Sequence, residues 1–213
     1  MQFEDFKTKL FSIAAEALPG ELSQFKMSPP FRENLIEANR ENMKTARRAA
    51  VMALFYPDHK GETFLILILR KTYKGVHSAQ VGFPGGKVEH DDENLQYTAL
   101  RETFEEVGVP IAAMQVLKAL TPLYIPPSDF KVSPFIGFIA QTPMFAKQDD
   151  EVEDLIEVPL TEFLDDTNTI LVDVMTSLQK EMTVPAFKLN GHVVWGATAM
   201  MLSEVKDLLK IIL

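Results

Sequence analysis

Two apolar runs, AAVMALFYP (49–57) and TFLILILR (63–70), flank the turn-forming stretch PDHKGE. Each is short, almost free of charge and bounded by turn residues, so the pair predicts two adjacent strands, a hairpin buried inside a sheet. A buried sheet must be covered, and amphipathic helices stand on either side of it in the chain. Phe3, Phe6, Leu10, Ile13 and Ala14 recur at helical spacing before Pro19-Gly20 stops the run, and GATAMMLSEVKDLLKIIL (196–213) closes the chain as a second amphipathic helix after the strand HVVW. VLKALTPLYI and SPFIGFIAQ, separated by PPSDF, read as further strands, and VPLTEFLDD as a short helix opening after a strand. The fold class is therefore α/β, one domain at 49–213 with an N-terminal helix and polar connector, 1–48, packed on it.

Composition excludes several partner classes. With 21 basic against 30 acidic residues the net charge is −9, so a nucleic-acid backbone is repelled on average. No apolar run reaches the roughly 20 residues that a membrane helix needs. The first residues also lack the basic start and apolar core of a secretion signal. Cysteine is absent, which removes disulfides and thiolate metal sites and fits a reducing cytoplasm. A small-molecule partner is expected; the oligomeric state stays open, a homodimer included.

The segment GFPGGKVEHDDENLQYTALRETFEEVGV (82–109) carries the chemistry. On a helix turning 100° per residue, Glu102, Glu105 and Glu106 fall within an arc of about 100°, with Leu100, Phe104 and Val107 opposite, so the spacing predicts a carboxylate face and a separate packing face. Taken alone, an acidic face is more often solvated surface. Like charges three and four residues apart repel, however, and a divalent cation removes that cost. Carboxylate oxygens suit Mg²⁺ or Mn²⁺, which bind substrate phosphates at the same time. The preceding Phe-Pro-Gly-Gly turn gives a bend and two residues without side chains, where a ligand or ion can approach the backbone.

These residues resemble the Nudix box, Gx5Ex7REUxEExGU with U apolar, which marks hydrolases of nucleoside diphosphates linked to another group. Glu93, Arg101, Glu102, Phe104, Glu105, Glu106, Gly108 and Val109 stand where the pattern asks, while six residues instead of five separate Gly86 from Glu93. HSAQVGFPGGK, LPGELSQFKMSP, LTPLYIPPSDFKVSPFIGF and VVWGATA are similar to segments of the bacterial coenzyme A pyrophosphatase branch, although that branch's arginine and glycine ahead of the turn are Gly75 and Ala79 here. The resemblance implies a Nudix-type α/β/α sandwich with a mixed sheet. It also implies roles: Glu102, Glu105 and Glu106 with the Gly86 carbonyl as metal ligands, and a Glu93–Arg101 ion pair that locks the loop onto the helix. Glu105 or Glu151 is the expected general base, and Arg70, Lys87 and His77 are expected to contact substrate. Trp195 is expected in the core. The implied reaction is metal-dependent cleavage of the diphosphate of coenzyme A or its derivatives, giving 4'-phosphopantetheine and adenosine 3',5'-bisphosphate. Other diphosphates, ADP-ribose or a dinucleotide, are the alternative substrates. A nucleotide-binding regulator that cleaves nothing is a third reading, against which the complete RExxEE cluster argues.

Overall fold

In the computed structural model of the protein, the structure describes residues 1–71, 80–175 and 181–213. The chain opens with α1 (Phe3–Leu10) and three short helices, α2 (Glu21–Phe25), α3 (Arg32–Ala38) and α4 (Asn42–Thr45). The long hairpin follows as β1 (Arg47–Pro57) and β2 (Thr63–Arg70), then two very short strands, β3 (Val81–Gly82) and β4 (Gly85–Lys87), and the helix α5 (Leu95–Val107). Next come β5 (Met114–Ala119), β6 (Leu123–Ile125), β7 (Phe130–Ile139), β8 (Val152–Pro159) and α6 (Leu160–Leu164). The chain ends with β9 (Thr169–Met175), β10 (Glu181–Leu189), β11 (His192–Trp195) and α7 (Gly196–Ile212).

The predicted hairpin is present. Phe55 faces Leu65 and Pro57 faces Thr63, and the Asp58 carboxylate closes the turn by accepting from the Lys60 and Glu62 amides at 2.8 Å each. β1 then runs parallel to β7 over residues 47–55, while β8 pairs antiparallel with the other edge of β2. Beyond the turn β1 and β2 diverge. β3 attaches to β2 at Ile68–Leu69 and β4 to β1 at Ala49–Val51, so the Phe-Pro-Gly-Gly turn is wedged into the split. With β5 and β6 antiparallel to β7, the described residues form one mixed eight-stranded sheet.

Side-chain alternation along β1 builds the layers. Ala49, Val51, Ala53 and Phe55 join one buried cluster with α1 and α7; Ala50, Met52, Leu54 and Tyr56 join another with Ala99 and Val107 of α5. The result is an α/β/α sandwich.

Several expectations needed adjustment. Phe3, Phe6, Leu10 and Ile13 are buried as their spacing requires, but Ala14 is exposed because the helix tightens into a 3₁₀ turn before it reaches Pro19. VLKALTPLYI is two strands, because Pro122 has no amide to give and Thr121 turns its amide and hydroxyl to Glu204 of α7, the latter at 2.6 Å. The connector is not merely polar chain. α2 sits on α7, where Gln24 donates to Glu204 at 2.9 Å and Lys26 pairs with Asp207 at 2.6 Å. The strands β9, β10 and β11 form a separate antiparallel sheet of order β11-β10-β9. Among the described residues no helix is long and apolar enough to cross a membrane.

Candidate active site

Local chemistry fixes α5 at both ends. The Asn94 side chain caps its start by accepting from the Tyr97 amide at 2.9 Å, and Gly108, at φ 76°, ends it in the left-handed conformation that glycine tolerates. Its faces are not those of the helical wheel. Ala99, Thr103 and Val107 are buried, and so are Glu102 and Glu106, whereas Phe104 is 48% exposed and Leu100 half-buried. Only Glu105 of the three glutamates reaches the rim. The reason lies in the facing layer. β4 presents glycines, and their missing side chains leave room for two carboxylates that apolar neighbours would have displaced.

Glu106 is 1% exposed. One of its oxygens accepts from the Gly85 amide at 2.7 Å; the other lies 3.2 Å from Arg70 Nη1 yet has no hydrogen bond. Arg70 in turn donates to the Gly85 carbonyl, tying the end of β2 to the turn. The Glu102 carboxylate presses so closely on Gly86 that a Cβ there would overlap it. Gly85, at φ 151°, is held with equal closeness against the backbone of Ala50 and Val51, so no other residue fits there, whereas a side chain at position 86 would have to displace the Glu102 carboxylate. Burial pushes the Glu106 carboxyl up to about 7, against the pull of Arg70 and the Gly85 amide, with the Glu102 and Glu151 charges adding to the rise. Burial raises Glu102 as well, opposed by Arg101.

Arg101 does lock the loop onto the helix, but through a different acid from the one expected. Its Nε and Nη2 grip the two oxygens of Asp92 at 2.8 and 2.9 Å, and Nη2 also reaches the Lys87 carbonyl at 3.2 Å. Asp92 further accepts from the Glu89 amide and the Thr98 hydroxyl. Arg101 holds it well below the usual carboxylate range. Glu93, the partner expected from the box, is exposed and takes no part. Counting the box's five-residue interval from Gly86 lands on Asp92, so the additional loop residue falls between the anchoring acid and the helix. Nη1 of Arg101 then contacts Glu102 and Glu105 at 3.0 Å each.

Above this constellation opens a cleft of about 960 Å³, lined in part by Arg70, Gly86, Lys87, Glu102, Glu105 and Glu151. Lys87 and Glu151 are exposed there. His77, with Gly75 and Ala79, lies outside the described residues. Two parts of the cleft were missed in the sequence. Trp195 is half-exposed and lines it, where core packing was expected, because β11 delivers it to the cleft mouth just before α7 begins. Further lining comes from the connector and the β6–β7 turn, with Phe31, Arg32, Leu35, Ile125, Pro126 and Phe130. PPSDF was the signal available for the latter and the segment LPGELSQFKMSP for the former, though neither marked a cleft lining.

The donors suit a hard divalent cation. They are carboxylate and carbonyl oxygens beside a glycine turn, and one Glu106 oxygen is buried with no hydrogen bond, which is costly unless a ligand or ion supplies the partner. Among the described residues no three acidic or histidine side chains are grouped closely enough to cage an ion by themselves. Arg70 and Arg101 engage them instead, and an ion bound there would complete its shell with water and substrate oxygens, as Mg²⁺ commonly does.

Residues 46–178 match the profile of the NUDIX domain. The chain belongs to the Nudix family. It is 31% identical over 193 residues, 91% of this chain and 95% of the other, to a protein described as uncharacterized Nudix hydrolase NudL from Yersinia pestis, and equally to its Yersinia pseudotuberculosis counterpart. In fold it is similar to the Nudix hydrolase RenU from M. smegmatis, at TM-score 0.54 and 15% identity over 79% of this chain and 88% of that one. A MutT/nudix family protein from Enterococcus faecalis gives TM-score 0.51 at 16% identity, covering 78% and 62%. The protein is thus a Nudix hydrolase of a nucleoside diphosphate derivative, from a family that generally uses divalent metals such as Mg²⁺ or Mn²⁺.

Proposed function

We propose that the substrate is coenzyme A or an acyl derivative, cleaved by water at its diphosphate into 4'-phosphopantetheine (or its acyl form) and adenosine 3',5'-bisphosphate. The observation that carries this reading is the shape of the cleft. Its lining combines a charged set, Arg70, Lys87, Glu102, Glu105 and Glu151, with an apolar set, Phe31, Leu35, Ile125 and Phe130, in about 960 Å³. A small diphosphate needs no such apolar lining; a pantetheine arm does. The segments similar to the coenzyme A pyrophosphatase branch support the same choice, and Gly75 and Ala79 are the places where that likeness lapses.

Glu102, Glu105 and Glu106, with the Gly86 carbonyl, would hold the cation. Bound there, Mg²⁺ or Mn²⁺ supplies charge neutralisation for the diphosphate and acidifies water. The chain's own residues do the remainder. Arg70 and Lys87 draw the phosphate oxygens to the charged lining, and Arg101 with Asp92 fixes the turn against α5 so that the carboxylates keep their places. Glu151 is the better placed base, because it faces the cleft with its carboxylate outside any ion pair among the described residues, while the Glu105 carboxylate is engaged by Arg101 at 3.0 Å. In this reading residues 1–48 are part of the substrate site as well as a packing extension. A panel of coenzyme A, acetyl-coenzyme A, ADP-ribose and diadenosine polyphosphates with Mg²⁺ or Mn²⁺, read by product identity, tests it. Preferred turnover of ADP-ribose or of a dinucleotide would replace coenzyme A as substrate, and binding without cleavage of any of them would point to a regulator.

A further inference from the structure

Arg32 opens α3 in the part of the cleft lining that the connector supplies, and it is an unusual residue to find there. It is only 8% exposed, yet no carboxylate lies within ion-pair distance of it among the described residues. Its Nη2 donates to the Tyr124 carbonyl at 2.7 Å; Nε is buried with no hydrogen bond, and Nη1 has no partner either. A guanidinium cannot shed its proton to escape burial, so the protein maintains a largely buried cation beside its own substrate cleft, and Nη1 is the one nitrogen of it that is neither bonded nor buried. Glu21 is the carboxylate that favours its charge, but too remotely to bond. Pro29, Phe31, Leu35 and Ile125 line the same cleft, and an apolar lining strengthens any charge-assisted bond formed there.

We propose that Arg32 is the recognition residue for a second phosphate of the substrate, a monoester remote from the diphosphate under attack, held by the Nη1 donors. The proposal rests on the coenzyme A reading, in which this group is the ribose 3'-phosphate. It gives the connector a specificity role. Nη1 carries two N–H donors on a permanently charged group, which suits phosphate oxygens, whereas the diphosphate is already served by Arg70, Lys87 and the cation site.

The test is calorimetric titration of the metal-loaded protein with adenosine 3',5'-bisphosphate and with adenosine 5'-monophosphate, neither of which has a diphosphate to cleave. Wild type is expected to bind the bisphosphate about tenfold or more tightly than the monophosphate. Arg32→Gln should bring the two together by weakening the bisphosphate alone, and Arg32→Lys, which keeps charge but not the planar group anchored on the Tyr124 carbonyl, should fall between. Equal binding of both ligands by wild type overturns the proposal even if the glutamine variant does not fold. So does a variant that weakens both ligands alike, or Arg32→Lys indistinguishable from wild type. A retained bisphosphate preference with no coenzyme A turnover in the substrate panel would leave the role of Arg32 standing and remove the reading of the reaction.

Discussion

Glu106→Gln should abolish turnover while making the metal-free protein more stable at alkaline pH. The two effects share one cause. In the fold the Glu106 carboxyl is raised from 4.5 to about 7 by burial. A carboxyl raised on folding binds a proton in the native state that the unfolded chain has already lost, so stability falls as pH rises through that interval. The destabilisation is fully present above the folded value and absent below about 4.5. A shift of that size corresponds to about 3 kcal/mol, or a melting change of roughly 6–12 °C in a chain of this length. Glutamine keeps the shape and can still accept from the Gly85 amide, but it carries no charge to desolvate; losing the attraction of Arg70 offsets part of the gain. Thermal melts in chelator at pH 8 and pH 5.5 would show it. Wild type should melt higher at the lower pH, and the variant should be flatter and higher at pH 8. Added Mg²⁺ should raise wild type and leave the variant unmoved. Turnover should drop about a thousandfold or more, since charge and positioning at the cation are both lost. A variant that melts below wild type in chelator at pH 8, or keeps more than about a tenth of its turnover at saturating Mg²⁺, refutes the reasoning.

Arg101→Ala should lower melting by an amount equivalent to about 3 kcal/mol together with activity, Asp92→Asn should do much the same, and Glu93→Gln should be silent, because the buried pair is Arg101–Asp92; differential scanning calorimetry of the three variants decides it. Chelation should stop turnover and leave the far-ultraviolet circular dichroism unchanged, since α5 is held by Ala99 and Val107 in the core. Trp195 is the only tryptophan and lines the cleft, so its emission should shift or quench on titration with adenosine 3',5'-bisphosphate and stay constant with adenosine alone at the same concentrations if phosphate drives binding.

The hairpin was legible because nearly every residue from 49 to 57 and from 63 to 70 is apolar, and a run of that kind has few destinations outside a sheet. The pairing of β1 with β7 was not. A parallel partner some eighty residues away leaves no local turn chemistry, and only the tertiary fold joins Arg47 to Phe130 in register. The same limit hid β9 and β10, whose alternating exposure gives strands with one wet face and a weak apolar signal. Short-range grammar failed at Pro122 too, where the cue for the strand break was the buried Glu204, eighty-odd residues on.

The site itself divides along the same line. Spacing placed Glu102, Glu105 and Glu106 on one side of a helix, and that much holds within the arc it gave. What spacing could not say is which side of the helix the sheet would cover. A wheel assumes that apolar residues choose the buried face, but Phe104 is left half in solvent while Glu102 and Glu106 go inside. The choice was made by the partner layer, in which Gly85 and Gly86 present backbone where side chains would normally stand. Glycine removes the apolar surface that Phe104 would have packed on and supplies an amide that a carboxylate can use, so the acidic face is buried at the one place where burying it is chemically useful. The turn and the helix therefore cannot be read separately. Gly86→Ala shows the dependence in its sharpest form: the added methyl would have to displace the Glu102 carboxylate, and activity should fall with little change in the apolar contacts that hold α5. An alanine variant with normal turnover would mean that Glu102 does its work from some other position than the one this turn imposes.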